Sequence, residues 1–210
     1  AGLSQPMRLA ALAYGPVEAT QWGVRERAPD FFDIKGDLEA LLAPLPLQFV
    51  AATHPALHPG RSAAVHLEGE AIGFVGELHP KWRQAYELPH APVLFEIDLP
   101  AALRRAVPAF EPLPRQQAVS RDLALVLSDA VSHDALVACL AGDPLIRSVT
   151  LFDVYKPAQP VAGMAAGERS LAVRLELLDN DATLTEERIE AVLAAAQARA
   201  HAALGARLRA

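Results

Sequence analysis

The amino-acid sequence predicts an α+β protein of two domains, on three observations. Its 210 residues, 52% apolar and only 21% charged, are enough to bury one large core or two small ones and lie far from the composition of disordered chains. Pro108, Pro112 and Pro114 fall within seven residues in mid-chain, where missing backbone donors discourage helix, and they predict a boundary between residues 1–108 and 109–210. Beyond that boundary the elements follow the order strand, helix, strand, strand, helix, strand. That order is the split ferredoxin-like βαββαβ plan, four antiparallel strands with two helices on one face.

In the first domain, Arg8 to Tyr14 reads as a strand. FFDIKGDLEALL then sets Phe31, Ile34, Leu38, Leu41 and Leu42 at helical spacing, and Pro44 and Pro46 end the helix. LQFVAAT (47–53), SAAVHLEG (62–69) and EAIGFVGELH (70–79) read as strands, the last two meeting at Gly69 and Glu70 in a hairpin-length connection. Pro80 opens a short helix in HPKWRQAYEL, VLFEIDL (93–99) is a further strand, and LRRAV (103–107) a short helix. These elements imply an antiparallel sheet with helices beside it.

The second domain runs through strand 120–128, helix 132–142, strands 146–156 and 169–178, helix 185–204 and strand 205–209. Ser132 caps its first helix, with Gly142 beyond the end. Thr185 opens the second, where Glu186 and Glu187 suit the positive end of the helix dipole. Two helices on one face leave the other face of the sheet open, and the period of two assigns its residues. Leu123, Leu125 and Leu127 face the helices, so Asp122, Ala124 and Val126 face out. Leu171, Val173, Leu175 and Leu177 leave Ser170, Ala172 and Arg174 outward in the same way. Phe152 and Val154 are assigned to the core and Asp153 and Tyr155 to the open face, although Val149 and Leu151 share the parity of the outward pair. In the last strand Leu208 is expected inward, with Arg207 and Arg209 outward.

Composition excludes several classes. The longest apolar runs, such as Ala191 to Ala196, are about six residues where a bilayer needs roughly 18, so no membrane partner is expected. The N-terminus lacks the pattern of a signal peptide, and the absence of an initiator Met predicts a piece of a longer chain. A single cysteine, Cys139, allows no internal disulfide and fits a reducing cytoplasm. The net charge of −6 divides as −3 for residues 1–110 and −3 for 111–210, so neither half is a basic module and DNA is not an expected partner. Any nucleic-acid contact must therefore be local. His54 and His58 have the spacing of helical zinc ligands, but Pro55 and Pro59 oppose a helix and no metal is expected. Cys139 lies at an apolar helix position and reads as a packed thiol, and no phosphate-loop, dinucleotide or nucleophile-elbow motif occurs.

What the open face does carry is a tyrosine beside a carboxylate and a hydroxyl, which suits reading one unpaired base. The ring stacks, and the carboxylate accepts from the paired N–H groups on a guanine edge. The competing reading is a solvated or protein-contact surface.

Across nearly its whole length the chain resembles the C-terminal portion of the bacterial phenylalanyl-tRNA synthetase beta subunit. The resemblance rests on FFDIKGDLEALL, HPGRSA and IGFVGELHP in the first half and on SRDLALVL, LFDVY, ERSLAVRLEL, TLTEERI and GARLR in the second. Their joint order and spacing are specific where each alone is weak. The resemblance implies that residues 1–108 form a class II synthetase-like antiparallel-sheet domain that is not the site of aminoacylation, in keeping with the lack of a GxGxGxxR-like motif. It implies that residues 109–210 form a ferredoxin-fold anticodon-binding domain reading the first anticodon base of phenylalanine tRNA. By position, Asp153 and Tyr155 of LFDVY, Ser170 of ERSLA and Ala124 of SRDLA match the family's anticodon contacts. Asp122, Arg174, Arg207 and Arg209 on the same face are expected as supporting contacts, and KPAQPVAGMAAGER departs most from the family pattern.

The resemblance further implies a cytoplasmic ligase subunit with no catalytic residue and no cofactor in this chain. The intact enzyme would use ATP and magnesium, and the reaction site would lie on the alpha subunit of a heterotetramer of two alpha and two beta chains. A purely structural scaffold and a small-molecule-sensing ferredoxin-like domain are the alternatives.

Overall fold

The computed structural model describes residues 3, 5–105, 108, 110 and 113–209. The chain divides into two compact units, Ala1–Ala109 and Phe110–Ala210. Part of the expected boundary, including Pro112, and the last two residues of the LRRAV segment lie outside the described residues.

The first unit runs β1 (Arg8–Ala13), α1 (Phe31–Leu42), β2 (Leu47–Ala51), β3 (Leu57–Leu67), β4 (Glu70–Leu78), α2 (Pro80–Ala85), β5 (Val93–Asp98) and α3 (Leu99–Ala102). Its strands form one antiparallel sheet in the order β1-β5-β4-β3-β2. Asp30 caps α1 by accepting from the N–H groups of Phe32 and Asp33, while the Asp33 carboxylate accepts from Asp30 N–H to close a capping box. Ile34, Leu38 and Leu42 are buried against the sheet; Leu41, expected with them, is half exposed on the helix flank.

Three expectations shift for physical reasons. The β3–β4 turn is made by Glu68 and Gly69, both with positive φ, as a two-residue hairpin demands, so Glu70 already pairs with Leu67. β3 starts at Leu57, ahead of the expected Ser62, across a register irregularity between those two residues. The helix expected at LRRAV forms at Leu99–Ala102, where Pro100 occupies the first turn. Gly73 is required by close approach, because a Cβ there would lie 2.0 Å from the carbonyl oxygen of Glu96 on β5.

The second unit runs β6 (Val119–Ser128), α4 (His133–Leu140), β7 (Ile146–Tyr155), β8 (Glu168–Leu177), α5 (Glu186–Leu204) and β9 (Arg207–Leu208). Its antiparallel sheet has the order β7-β8-β6-β9, the ferredoxin-like arrangement. Ser132 and Thr185 cap the two helices through their side-chain oxygens, as expected. Leu123, Leu125, Leu127, Leu171, Val173 and Leu175 pack with Leu136 and Leu140 of α4 and with Ile189 and Ala196 of α5 in one core.

The expected last strand begins later than Gly205. That glycine has φ 65° and stops α5, its N–H donating to the carbonyl of His201, so only Arg207 and Leu208 remain as strand. Leu208 lies opposite the buried Leu125 but is half exposed at the edge of the sheet. Among the described residues no helix is long and apolar enough to cross a membrane.

Candidate nucleic-acid interface

Residues directly opposite one another in antiparallel strands project to the same side of the sheet. The register therefore arranges the face away from the helices in three rows. One runs Thr150, Arg174, Asp122; the next Asp153, Ala172, Ala124; the third Tyr155, Ser170, Val126, Arg207. The middle row has only methyl groups between its carboxylate and the far strand. It forms a shallow floor flanked by the larger side chains of the outer rows.

Asp153 and Tyr155 reach this face because of a β-bulge. After a first irregularity between Ile146 and Ser148, Val149 and Leu151, opposite Leu175 and Val173, pack against the core, so over this stretch the odd-numbered residues of β7 face the helices. Between Leu151 and Asp153 the register slips by one residue, so that Asp153 pairs with Ala172 and Tyr155 with Ser170. The extra residue, Phe152, reverses the parity. This resolves the conflict in the sequence, where Val149 and Leu151 claimed the same side as Asp153 and Tyr155.

Phe152, assigned to the core, is instead 55% exposed, with the Arg174 guanidinium 5.5 Å from its ring centroid. Val154 does face the helix side opposite Leu171, yet it is also exposed, near the end of the edge strand.

The face is not uniformly open. Val126 and Ser170 are buried, and so is Met164 of the loop between β7 and β8. None of the three belongs to the helix-side core. The Gly163 carbonyl accepts from Arg207, which stands opposite Val126, and this ties the loop over that end of the sheet. Ser170 is thus covered, against the expectation of an open position. Ala124 and Ala172 are half-buried, while Asp153 and Tyr155 are exposed.

Charge on the face is largely paired. Arg174 donates to both carboxylate oxygens of Asp122 at 2.8 Å, and these bonds hold the Asp122 carboxyl below its ordinary range. Arg207 donates to both oxygens of Glu168 at 2.6 and 2.7 Å. Those bonds and the Ala165 N–H hold Glu168 at about 2. Arg209 behaves differently, its guanidinium lying 4.4 Å from the centroid of the Tyr155 ring while its backbone N–H donates to the carbonyl of Ala124. Asp153 is left as an exposed carboxylate in no ion pair among the described residues.

Of the sequence-derived site residues, the register brings Asp153, Tyr155, Ser170 and Ala124 together, with Arg209 on the tyrosine. Asp122, Arg174 and Arg207 are engaged in ion pairs within the unit. Phe152 is the residue that reading strand parity misplaced, and the parity conflict inside VTLFDVY was the signal for it; Ala172 was put on the open face by parity but not counted among the site residues. Elsewhere, His54 stacks on Phe74 at 4.1 Å and His58 accepts from Gly60 N–H. No group of three or more His, Cys, Asp or Glu among the described residues could hold a metal ion.

Residues 1–99 match the Phenylalanyl tRNA synthetase beta chain CLM domain, and residues 114–209 match the Ferredoxin-fold anticodon binding domain. The chain is 48% identical over 217 aligned positions to the phenylalanine–tRNA ligase beta subunit of Ralstonia nicotianae, covering 100% of this chain and 27% of that protein. For the beta subunit of Burkholderia pseudomallei the identity is 47% over 215 positions, covering 99% and 26%. For that of Neisseria meningitidis serogroup B it is 45% over 207 positions, covering 98% and 26%. The chain thus spans about a quarter of the length of the curated relatives it matches. These matches establish a share of the relatives and not an end, so they do not support the C-terminal placement expected from the sequence.

Proposed function

The chain belongs to the family of phenylalanine–tRNA ligase beta subunits, and from that premise we propose that its second unit holds the first anticodon base of phenylalanine tRNA on the open face of the sheet. In this reading the base lies over the floor of Ala172 and Ala124. Tyr155 stacks on it, and the Asp153 carboxylate accepts from the paired N–H groups of a guanine edge. The observation that carries the reading is the middle row itself: an unpaired carboxylate at the end of a methyl floor, with an aromatic ring in the next row. A unit of net charge near −3 gains little from phosphate attraction, which fits recognition by stacking and hydrogen bonding. Ser170 lies beside Tyr155 in the same row, covered from solvent, and Asp122, Arg174 and Arg207 brace the site as ion pairs. Arg209 lies on the tyrosine and moves with it or yields to the base.

The proposal extends to the whole enzyme. This chain contributes tRNA recognition and subunit assembly to ATP- and magnesium-dependent phenylalanylation in the cytoplasm. The reaction site lies on an alpha subunit, in a heterotetramer of two alpha and two beta chains. The first unit is a non-catalytic partner domain.

The test is tRNA binding and aminoacylation kinetics of the intact ligase. Tyr155→Ala should cost about 1–3 kcal/mol in tRNA binding and leave phenylalanine activation untouched. Asp153→Asn replaces one acceptor oxygen with a donor, so it should reduce the preference for guanine at the first anticodon position more than it reduces overall affinity. Equal guanine preference in the wild type and Asp153→Asn would overturn the assigned role, and unchanged binding by both variants would favour a scaffold.

A further inference from the structure

The bulge in β7 exposes a second aromatic residue on the same face, and nothing in the one-base reading uses it. Phe152 is 55% exposed although it is apolar and lies in the middle of a sheet element. Its neighbour Arg174 cannot turn away freely, because both arms of the guanidinium donate to Asp122 at 2.8 Å. The result is a phenyl ring beside a guanidinium held in a fixed plane, 5.5 Å from the ring centroid. Tyr155 and Arg209 repeat that pairing three residues further along the strand, at 4.4 Å. Planar apolar rings paired with guanidinium groups on an open four-stranded sheet are a stacking surface for single-stranded nucleic acid, tolerant of base identity because every base has a π-face.

We propose that Phe152 and Arg174 form a second stacking position on this face, which takes the nucleotide adjacent to the one held by Tyr155. The inference rests on the reading of the face as an anticodon site and adds a second nucleotide to it. Along β7 the two aromatic positions are about 10 Å apart at most, against about 3.4 Å between stacked neighbours in a helix. The two bases are therefore held splayed, each on its own ring. The first position is specific through Asp153. The second has no unpaired carboxylate, since Asp122 is committed to Arg174, and so contributes affinity without discrimination.

The experiment measures binding of the intact ligase to phenylalanine tRNA and to two altered tRNAs, each lacking the base on one side of the first anticodon position. Phe152→Ala should weaken binding of unmodified tRNA roughly 5- to 150-fold. Phe152→Leu, which keeps the apolar cover over Arg174 but has no flat ring, should weaken it as well, and Phe152→Tyr should bind like the wild type. With one of the two altered tRNAs, wild type and Phe152→Leu should bind equally, because the base that used the ring is gone. Unimpaired binding by Phe152→Leu overturns the proposal, as does a loss that persists undiminished with both altered tRNAs. If Tyr155→Ala is also silent, the anticodon reading falls with it; if Tyr155→Ala is impaired while Phe152→Leu is not, only the second position falls.

Discussion

Substituting Ala172 by isoleucine separates recognition from folding. Ala172 stands between Asp153 and Ala124 in the middle row, so its Cβ lies about 5 Å from those of both neighbours. A base resting on this floor makes carbon contacts at about 3.5–4.0 Å, and the three added carbons of isoleucine would lift it by about 2–3 Å. A hydrogen bond to Asp153 cannot survive that displacement, since such bonds weaken steeply beyond about 3.2 Å. Losing a hydrogen bond to a charged group costs about 1.5–3 kcal/mol, or about 10- to 150-fold in affinity.

Stability should move the other way or stay put. A β-branched residue suits a strand, and Ala172, half-buried on the face away from the helices, lies outside the core, where substitutions usually change stability by no more than about 0.5 kcal/mol. The assay pairs tRNA titration of the intact ligase with thermal unfolding. Ala172→Ile that melts like the wild type and binds tRNA equally well would refute the placement of the base on this floor.

Two further predictions concern the supports of the site. Glu168 is held at about 2 against an ordinary 4.5, so its pairing with Arg207 contributes stability above the ordinary value that is lost as pH falls toward about 2. Glu168→Gln should flatten the acid limb of stability in that window and converge with the wild type at its lower end, as denaturant unfolding at a series of pH values would show; parallel curves would contradict the pairing. Gly205 sits at φ 65° with nothing within 4 Å of an added Cβ, so Gly205→Ala should cost about 1–2 kcal/mol through backbone conformation alone, read as a lower Tm.

Most elements of the second unit were legible from neighbouring residues because their signals are local. Ser132 and Thr185 bond to N–H groups three positions away, and the leucines at 123, 125 and 127 and from 171 to 177 keep a strict period of two on strands paired without interruption. Asp122, Ala124, Ala172 and Arg174 could be put on the right face from that alternation alone. The β7 segment could not be read that way, because parity holds only while register is continuous and a one-residue slip against β8 resets it. Asp153 and Tyr155 were placed on the open face by assigning Phe152 and Val154 to the core. The bulge puts the first pair there for a different reason and exposes Phe152.

The cover over Ser170, the stacking of Arg209 on Tyr155 and the capture of Arg174 by Asp122 and of Arg207 by Glu168 depend on partners 39 or more residues away in three of the four cases. Local propensity and periodicity specify which segments become strands and helices. Strand pairing and loop return bring distant residues together, and they settle which polar groups on the face are already satisfied and which, like Asp153, are exposed with no ion-pair partner among the described residues.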